Sequence, residues 1–172
     1  IAQINELKDR TLTMNGVSKS YAMTGWRIGY GVMPLDLVDS ISKLSTNSVS
    51  CTASFTQIAA AEAITGPQEK ALEIVEEFDR RRHIIVNGLN SIKGIHCPMP
   101  EGAFYVFPSI KGTGMESRFF ADKLLQDFGV ASLAGESFGE FGKGHLRFSF
   151  ANSVENIEKA LDKINEFVQS NS

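Results

Sequence analysis

Apolar positions recur along this chain with two periods, and the elements follow from them. From Gln68 to about Ile92, the residues Ala71, Ile74, Val75, Phe78, Ile85, Leu89 and Ile92 return at three- and four-residue steps, which predicts one long helix. A helix of about 25 residues spans about 40 Å, enough to bridge two lobes. Its other face carries Glu76 with Arg80 and Glu77 with Arg81, expected as i,i+4 pairs on a solvated surface. The same period predicts a helix after Pro34 with Leu37, Val38, Ile41 and Leu44 as its buried stripe. It predicts another over Ala53 to Thr65, with Phe55, Ile58, Ala59 and Ala63 on one side, packed closely and stopped by Gly66-Pro67. Phe120, Leu124 and Phe128 mark a fourth, capped by Gly129. A last helix is capped by Ser153, with Ile157, Ala160, Leu161, Ile164, Phe167 and Val168 inward and a frayed tail over Ser170 to Ser172.

Alternation marks the strands. In His145 to Phe150, Leu146, Phe148 and Phe150 point one way and His145, Arg147 and Ser149 the other. Arg10 to Met14, Trp26 to Met33, Ala103 to Phe107 and Val130 to Leu133 also read as strands. Thr46 to Thr52 is polar and without period, which predicts a loop. The glycines of Gly135 to Gly144 match no nucleotide-binding loop, so the segment gets no phosphate role. Helices and strands interleave, and the fold class is α/β.

Composition narrows the partners. The 172 residues are 42% hydrophobic and 22% charged, with net charge −3 and no basic stripe, so neither nucleic acid nor an acidic membrane is the expected partner. No apolar run approaches the ~20 residues of a spanning helix, and no signal peptide opens the chain. Cys51 and Cys97 have neither metal spacing nor a partner framework, which favours two free thiols in a cytoplasmic protein. His83, His96 and His145 are scattered and give no metal site. The chain opens on helix-like sequence at Ile1 rather than on Met, from which missing upstream sequence is expected.

Candidate chemistry concentrates between Asn15 and Tyr30. Lys19 stands among small residues, and Arg27 follows eight positions later, just before an apolar run. An amine attacks a carbonyl only when unprotonated, and neighbouring positive charge favours that form. The planar fork of an arginine suits a phosphate through two parallel hydrogen bonds. A lone lysine is ordinarily solvated and a lone arginine an exposed charge, so residue types and spacing leave both readings open. Arg147 on its strand is equally open: an exposed charge, or a binding group.

The run Gly16-Val-Ser-Lys19, two residues, Ala22-Met-Thr-Gly25-Trp-Arg27-Ile-Gly29 resembles the cofactor-lysine motif of class I pyridoxal-phosphate aminotransferases, in particular the aspartate aminotransferase-like branch. Leu146-Arg-Phe-Ser-Phe-Ala-Asn-Ser153 resembles the strand whose arginine binds the substrate α-carboxylate in that family. Weaker echoes lie in Glu62 to Glu69, Glu101 to Pro108 and Gly135 to Gly139, so the resemblance runs through the whole chain in order. One position departs: many relatives carry Ser or Thr where Gly16 stands, with its hydroxyl on the cofactor phosphate.

The resemblance implies a fold-type-I pyridoxal-phosphate transferase, with residues 1–66 as the C-terminal remnant of the large cofactor-binding domain and 67–172 as the small C-terminal α/β domain. It implies pyridoxal 5′-phosphate joined covalently to Lys19 as catalytic residue, its phosphate on Arg27, and substrate carboxylate on Arg147. The reaction implied moves an amino group between an amino acid, aspartate-like or aromatic, and a 2-oxo acid, in a homodimer. The family's ring-nitrogen Asp, ring-oxygen Tyr and phosphate loop precede the lysine by more sequence than this chain has, so these residues alone are expected to be inactive. A lyase or decarboxylase of the same fold remains open, because fold does not fix reaction. So does a non-enzymatic effector-sensing domain.

Overall fold

The computed structural model describes residues 1–171. The chain divides into two compact units, Ile1–Glu73 and Ile74–Ser172.

In the first unit a 3-10 turn, Asn5–Arg10, precedes strand β1, Thr13–Gly16, and the four-residue helix α1, Val17–Ser20. A second 3-10 turn, Thr24–Trp26, leads to β2, Gly29–Val32. Strands β1 and β2 form an antiparallel ribbon from Thr13↔Val32 to Gly16↔Gly29. Helices α2, Leu35–Val49, and α3, Ser54–Thr65, follow. Helix α2 runs into the stretch expected to be a loop. Its polar end is held by its own carbonyls: Thr46 Oγ1 donates to Ser42 O at 2.9 Å, Asn47 Nδ2 to Lys43 O at 2.7 Å and Ser48 Oγ to Leu44 O at 2.8 Å. Such back-bonds satisfy the polar side chains inside the helix without strengthening it, so an apolar period is not a requirement for helix here.

The apolar stripes of α2 and α3 differ from expectation more sharply. Leu37, Val38, Ile41 and Leu44 are all exposed, and Phe55 and Ile58 are 69% and 73% exposed. On α3 it is Thr56 and Ala60 that are buried. Periodicity identifies which residues share a face; burial also needs a surface to cover that face. Among the described residues of this unit only Val17, Thr56 and Ala60 are buried.

Helix α4, Glu69–Asn90, matches the long predicted helix, and the division between the units falls inside it. Glu77 takes both arginine partners, Arg80 at 2.8 Å and Arg81 at 2.7 Å, where separate pairs from Glu76 and Glu77 were expected. Those two guanidinium hydrogen bonds lower the Glu77 carboxyl to about 2.

The second unit continues with β3, Tyr105–Val106, α5, Ser117–Phe128, β4, Leu133–Ala134, β5, Leu146–Ser149, and α6, Val154–Ser170. The sheet is antiparallel, in the order β3-β5-β4. Leu146, Phe148 and Phe150 face a core shared with Ile85, Val86 and Leu89 of α4, Phe120 and Leu124 of α5, and Ile157, Ile164, Phe167 and Val168 of α6. Phe120 and Phe167 meet edge to face at 4.7 Å. Ser153 Oγ accepts the Asn156 N–H as the helix cap, and Lys163 Nζ donates to Phe128 O at the C-terminal end of α5, where a cation is favourable. The glycine-rich loop forms two 3-10 turns, Gly135–Phe138 and Glu140–Gly142. A Cβ on Gly135 would run into the Gly142 carbonyl, and one on Gly142 into that of Gly135, so these glycines serve a backbone crossing. At the tail, Ser170 closes α6 and Asn171 Nδ2 donates to Phe167 O at 2.8 Å; Ser172 lies outside the described residues.

Candidate active site

The ribbon register assembles the first part of the site. Gly16 pairs with Gly29, so the segment between them is a closed turn at one end of the ribbon. Lys19 stands three residues into that turn, on α1, and Arg27 two residues before its end. The strands approach closely here: a Cβ on Gly29 would sit 3.0 Å from Asn15 O. Both Lys19 and Arg27 are exposed. Arg27 Nη1 donates to Thr24 O at 3.0 Å.

Two non-glycine residues in this turn adopt left-handed backbone, Ala22 with φ 53° and Arg27 with φ 52°. Each such residue costs about 1–2 kcal/mol, and strain of this kind gathers where a chain must present side chains to a ligand. Tyr21 anchors the turn. Its hydroxyl donates to Gln68 Oε1 at 3.2 Å, and the Gln68 amide donates to Ala63 O at 3.1 Å and Gly66 O at 2.7 Å. The motif residues Ala22, Gly25, Trp26 and Arg27 line an open depression of about 730 Å³, faced by Val49, Thr52, Ala53 and Phe55. That volume suits a small organic ligand.

Arg147 lies in the second unit, on the central strand β5, opposite Leu133 of β4. It is half-buried on the face away from the core. Its Cζ lies 4.3 Å from the Tyr105 ring centroid and 4.6 Å from that of Phe138. Among the described residues no hydrogen bond or ion pair reaches it, so its in-plane donors remain available to a carboxylate. The structure thus brings Lys19 and Arg27 into one turn, while Arg147 belongs to the other unit.

A sequence model of the family described as aminotransferase class I and II matches residues 1–164. The chain belongs to the class I and II aminotransferases. It is 43% identical over 162 residues to a probable N-acetyl-LL-diaminopimelate aminotransferase of Bacillus subtilis, covering 94% of this chain and 41% of that protein. The crystal structure of the aspartate aminotransferase from Rhizobium meliloti superposes with a TM-score of 0.90 at 40% identity, covering 96% of this chain and 43% of that one. The aromatic aminotransferase from Pyrococcus horikoshii gives a TM-score of 0.88 at 35% identity, over 94% and 44%. The chain therefore has the α/β fold of part of a fold-type-I transferase and spans about two fifths of the length of these aminotransferases.

Three features of the site escaped the sequence reading. The left-handed Ala22 and Arg27 carry no glycine signal. The Tyr21–Gln68 hydrogen bond links residues 47 apart. The rings on Arg147 lie in a predicted strand, Ala103 to Phe107, and in the glycine-rich loop Gly135 to Gly144, and nothing in either segment pointed to Arg147.

Proposed function

We propose that the protein of which these residues form part is an aminotransferase that moves an amino group between an amino acid, aspartate-like or aromatic, and a 2-oxo acid, with pyridoxal 5′-phosphate as cofactor. The observation that carries this reading is the closure of Lys19 and Arg27 into one strained turn of the ribbon. The residues fit the group: one primary amine and one planar cationic fork suited to a phosphate dianion emerge from the same turn, and Arg27 lines a depression of suitable size.

Pyridoxal phosphate, when bound, supplies an aldehyde for that amine and a ring that takes up the electron pair released at the amino-acid Cα. Lys19 is the catalytic residue: as general base it would take the proton from Cα, and as general acid it would deliver that proton to the cofactor carbon rather than back to Cα. Arg27 holds the phosphate by paired, charge-assisted hydrogen bonds. Arg147 holds the α-carboxylate with its in-plane N–H groups, which fixes the direction of the Cα–H bond. We read residues 1–66 as part of the large cofactor-binding domain and 67–172 as the small domain, in a cytoplasmic homodimer.

The test uses the full-length protein with cofactor, an amino acid and 2-oxoglutarate. Glutamate should form only with the acceptor present, and Lys19→Ala should abolish it together with the visible band of the bound cofactor. Product formation without any 2-oxo acid would instead identify a lyase or decarboxylase.

A further inference from the structure

We infer that Tyr105 and Phe138 are positioning residues for Arg147: two rings that hold its guanidinium in the one plane from which it can grip a carboxylate. The inference rests on the reading of Arg147 as the carboxylate anchor and goes beyond it.

The geometry carries the argument. An arginine side chain has many rotamers, and freezing them at the moment of binding costs affinity. Among the described residues no carboxylate pairs with Arg147. What contacts it is aromatic. Tyr105 reaches it from β3 and Phe138 from the turn after β4, on opposite flanks of β5 in the order β3-β5-β4. The Cζ distances of 4.3 and 4.6 Å place the cation over both rings. A ring attracts the guanidinium through its face and leaves the in-plane N–H donors untouched. A carboxylate partner would occupy those same donors and compete with the ligand. Rings therefore fix the group without spending what it binds with.

The rings are themselves supported. Phe104 packs on Tyr105 at 4.6 Å, and Phe107 meets Phe138 edge to face at 6.0 Å while stacking on His145 at 5.4 Å. Phe104 packs against the core, but the two rings on Arg147 are not part of it: Phe138 is 50% exposed and Tyr105 half-buried. A core role would bury these side chains. Their placement on the solvent side of the sheet, over a cation with no acid beside it, gives them a purpose in binding.

The experiment is calorimetric titration of 2-oxoglutarate into the full-length, cofactor-loaded protein, with Tm recorded for every variant. Tyr105→Leu and Phe138→Leu should each weaken binding about three- to tenfold, the size of a partly desolvated cation–π contact. Tyr105→Phe and Phe138→Tyr keep the rings and should bind as the parent does. Arg147→Ala should weaken binding about thirtyfold or more, and adding either Leu substitution to it should cost nothing further. Leucine variants that bind like the parent, while Arg147→Ala does not, overturn the positioning role alone. Equal losses with and without Arg147 overturn it too, because the rings would then act on something else. If Arg147→Ala binds normally, the anchor assignment fails and takes the inference with it.

Discussion

The two units differ in what they bury. Ile74–Ser172 closes a core around Phe120, Phe150 and Phe167, each almost fully buried, with helices on one face of a small antiparallel sheet. Ile1–Glu73 has helices and a ribbon but buries three side chains, and leaves Leu35, Val49, Phe55 and Ile58 open to solvent. Yet the less packed unit carries Lys19 and Arg27. A turn can be drawn tight by a local register and a few hydrogen bonds, whereas a core needs opposing apolar surfaces. The candidate site residues of the first unit are thus placed by local structure, while its packing is not completed locally. The second unit holds Arg147 on a strand that its own core makes rigid.

The largest effect should come from truncating each unit's aromatic side chains. Phe120→Ala removes a ring packed against Phe167 and should cost about 3–5 kcal/mol of stability. Phe55→Ala, in the first unit, should stay within about 0.5 kcal/mol. Chemical denaturation of both variants checks this, and equal losses would erase the distinction.

The two thiols sharpen the comparison at the next scale. Cys97 is buried in the second unit, and burial pushes its thiol up to about 11; Cys51, in the first, is exposed. Two pKa units alone lower the reactive thiolate about a hundredfold. A thiol reagent at pH 8 should therefore label Cys51 within the mixing time of a slow assay and reach Cys97 only when the second unit unfolds. Simultaneous labelling would show that the core opens as readily as the exposed helices.

The smallest effect is expected at Gly16. Its backbone is extended, with φ −157° and ψ 154°, and an added Cβ would meet Ile28 O at 3.5 Å, ordinary contact. Gly16→Ser should change stability by less than about 0.5 kcal/mol and retain pyridoxal phosphate at least as well as the parent, by restoring a hydroxyl near Arg27. Weaker cofactor retention, measured by dialysis and absorbance, would place the phosphate elsewhere.

The sequence made some of this visible, for physical reasons that differ by residue. Lys19, Arg27 and Arg147 stood out as candidates because their surroundings form long local runs that resemble a known family. The stripe of α6 and the Gly129 cap were legible because both the pattern and its partner surface lie within one unit. The stripe of α2 was legible as a pattern, but its burial depends on a surface its own residues cannot reveal. Glu77's choice of both Arg80 and Arg81 turns on rotamers, which spacing does not encode. Tyr105 and Phe138 converge on Arg147 from segments some 30 residues apart in sequence, brought together by strand order rather than by any motif.

The central claim is that Lys19 is the amine that bonds to the cofactor. Borohydride reduction of the full-length protein loaded with pyridoxal phosphate freezes that bond, and peptide mass mapping then locates it. The account predicts one stoichiometric pyridoxyl label, on the peptide containing Lys19. A stoichiometric label on any other lysine, with Lys19 unmodified, would contradict it.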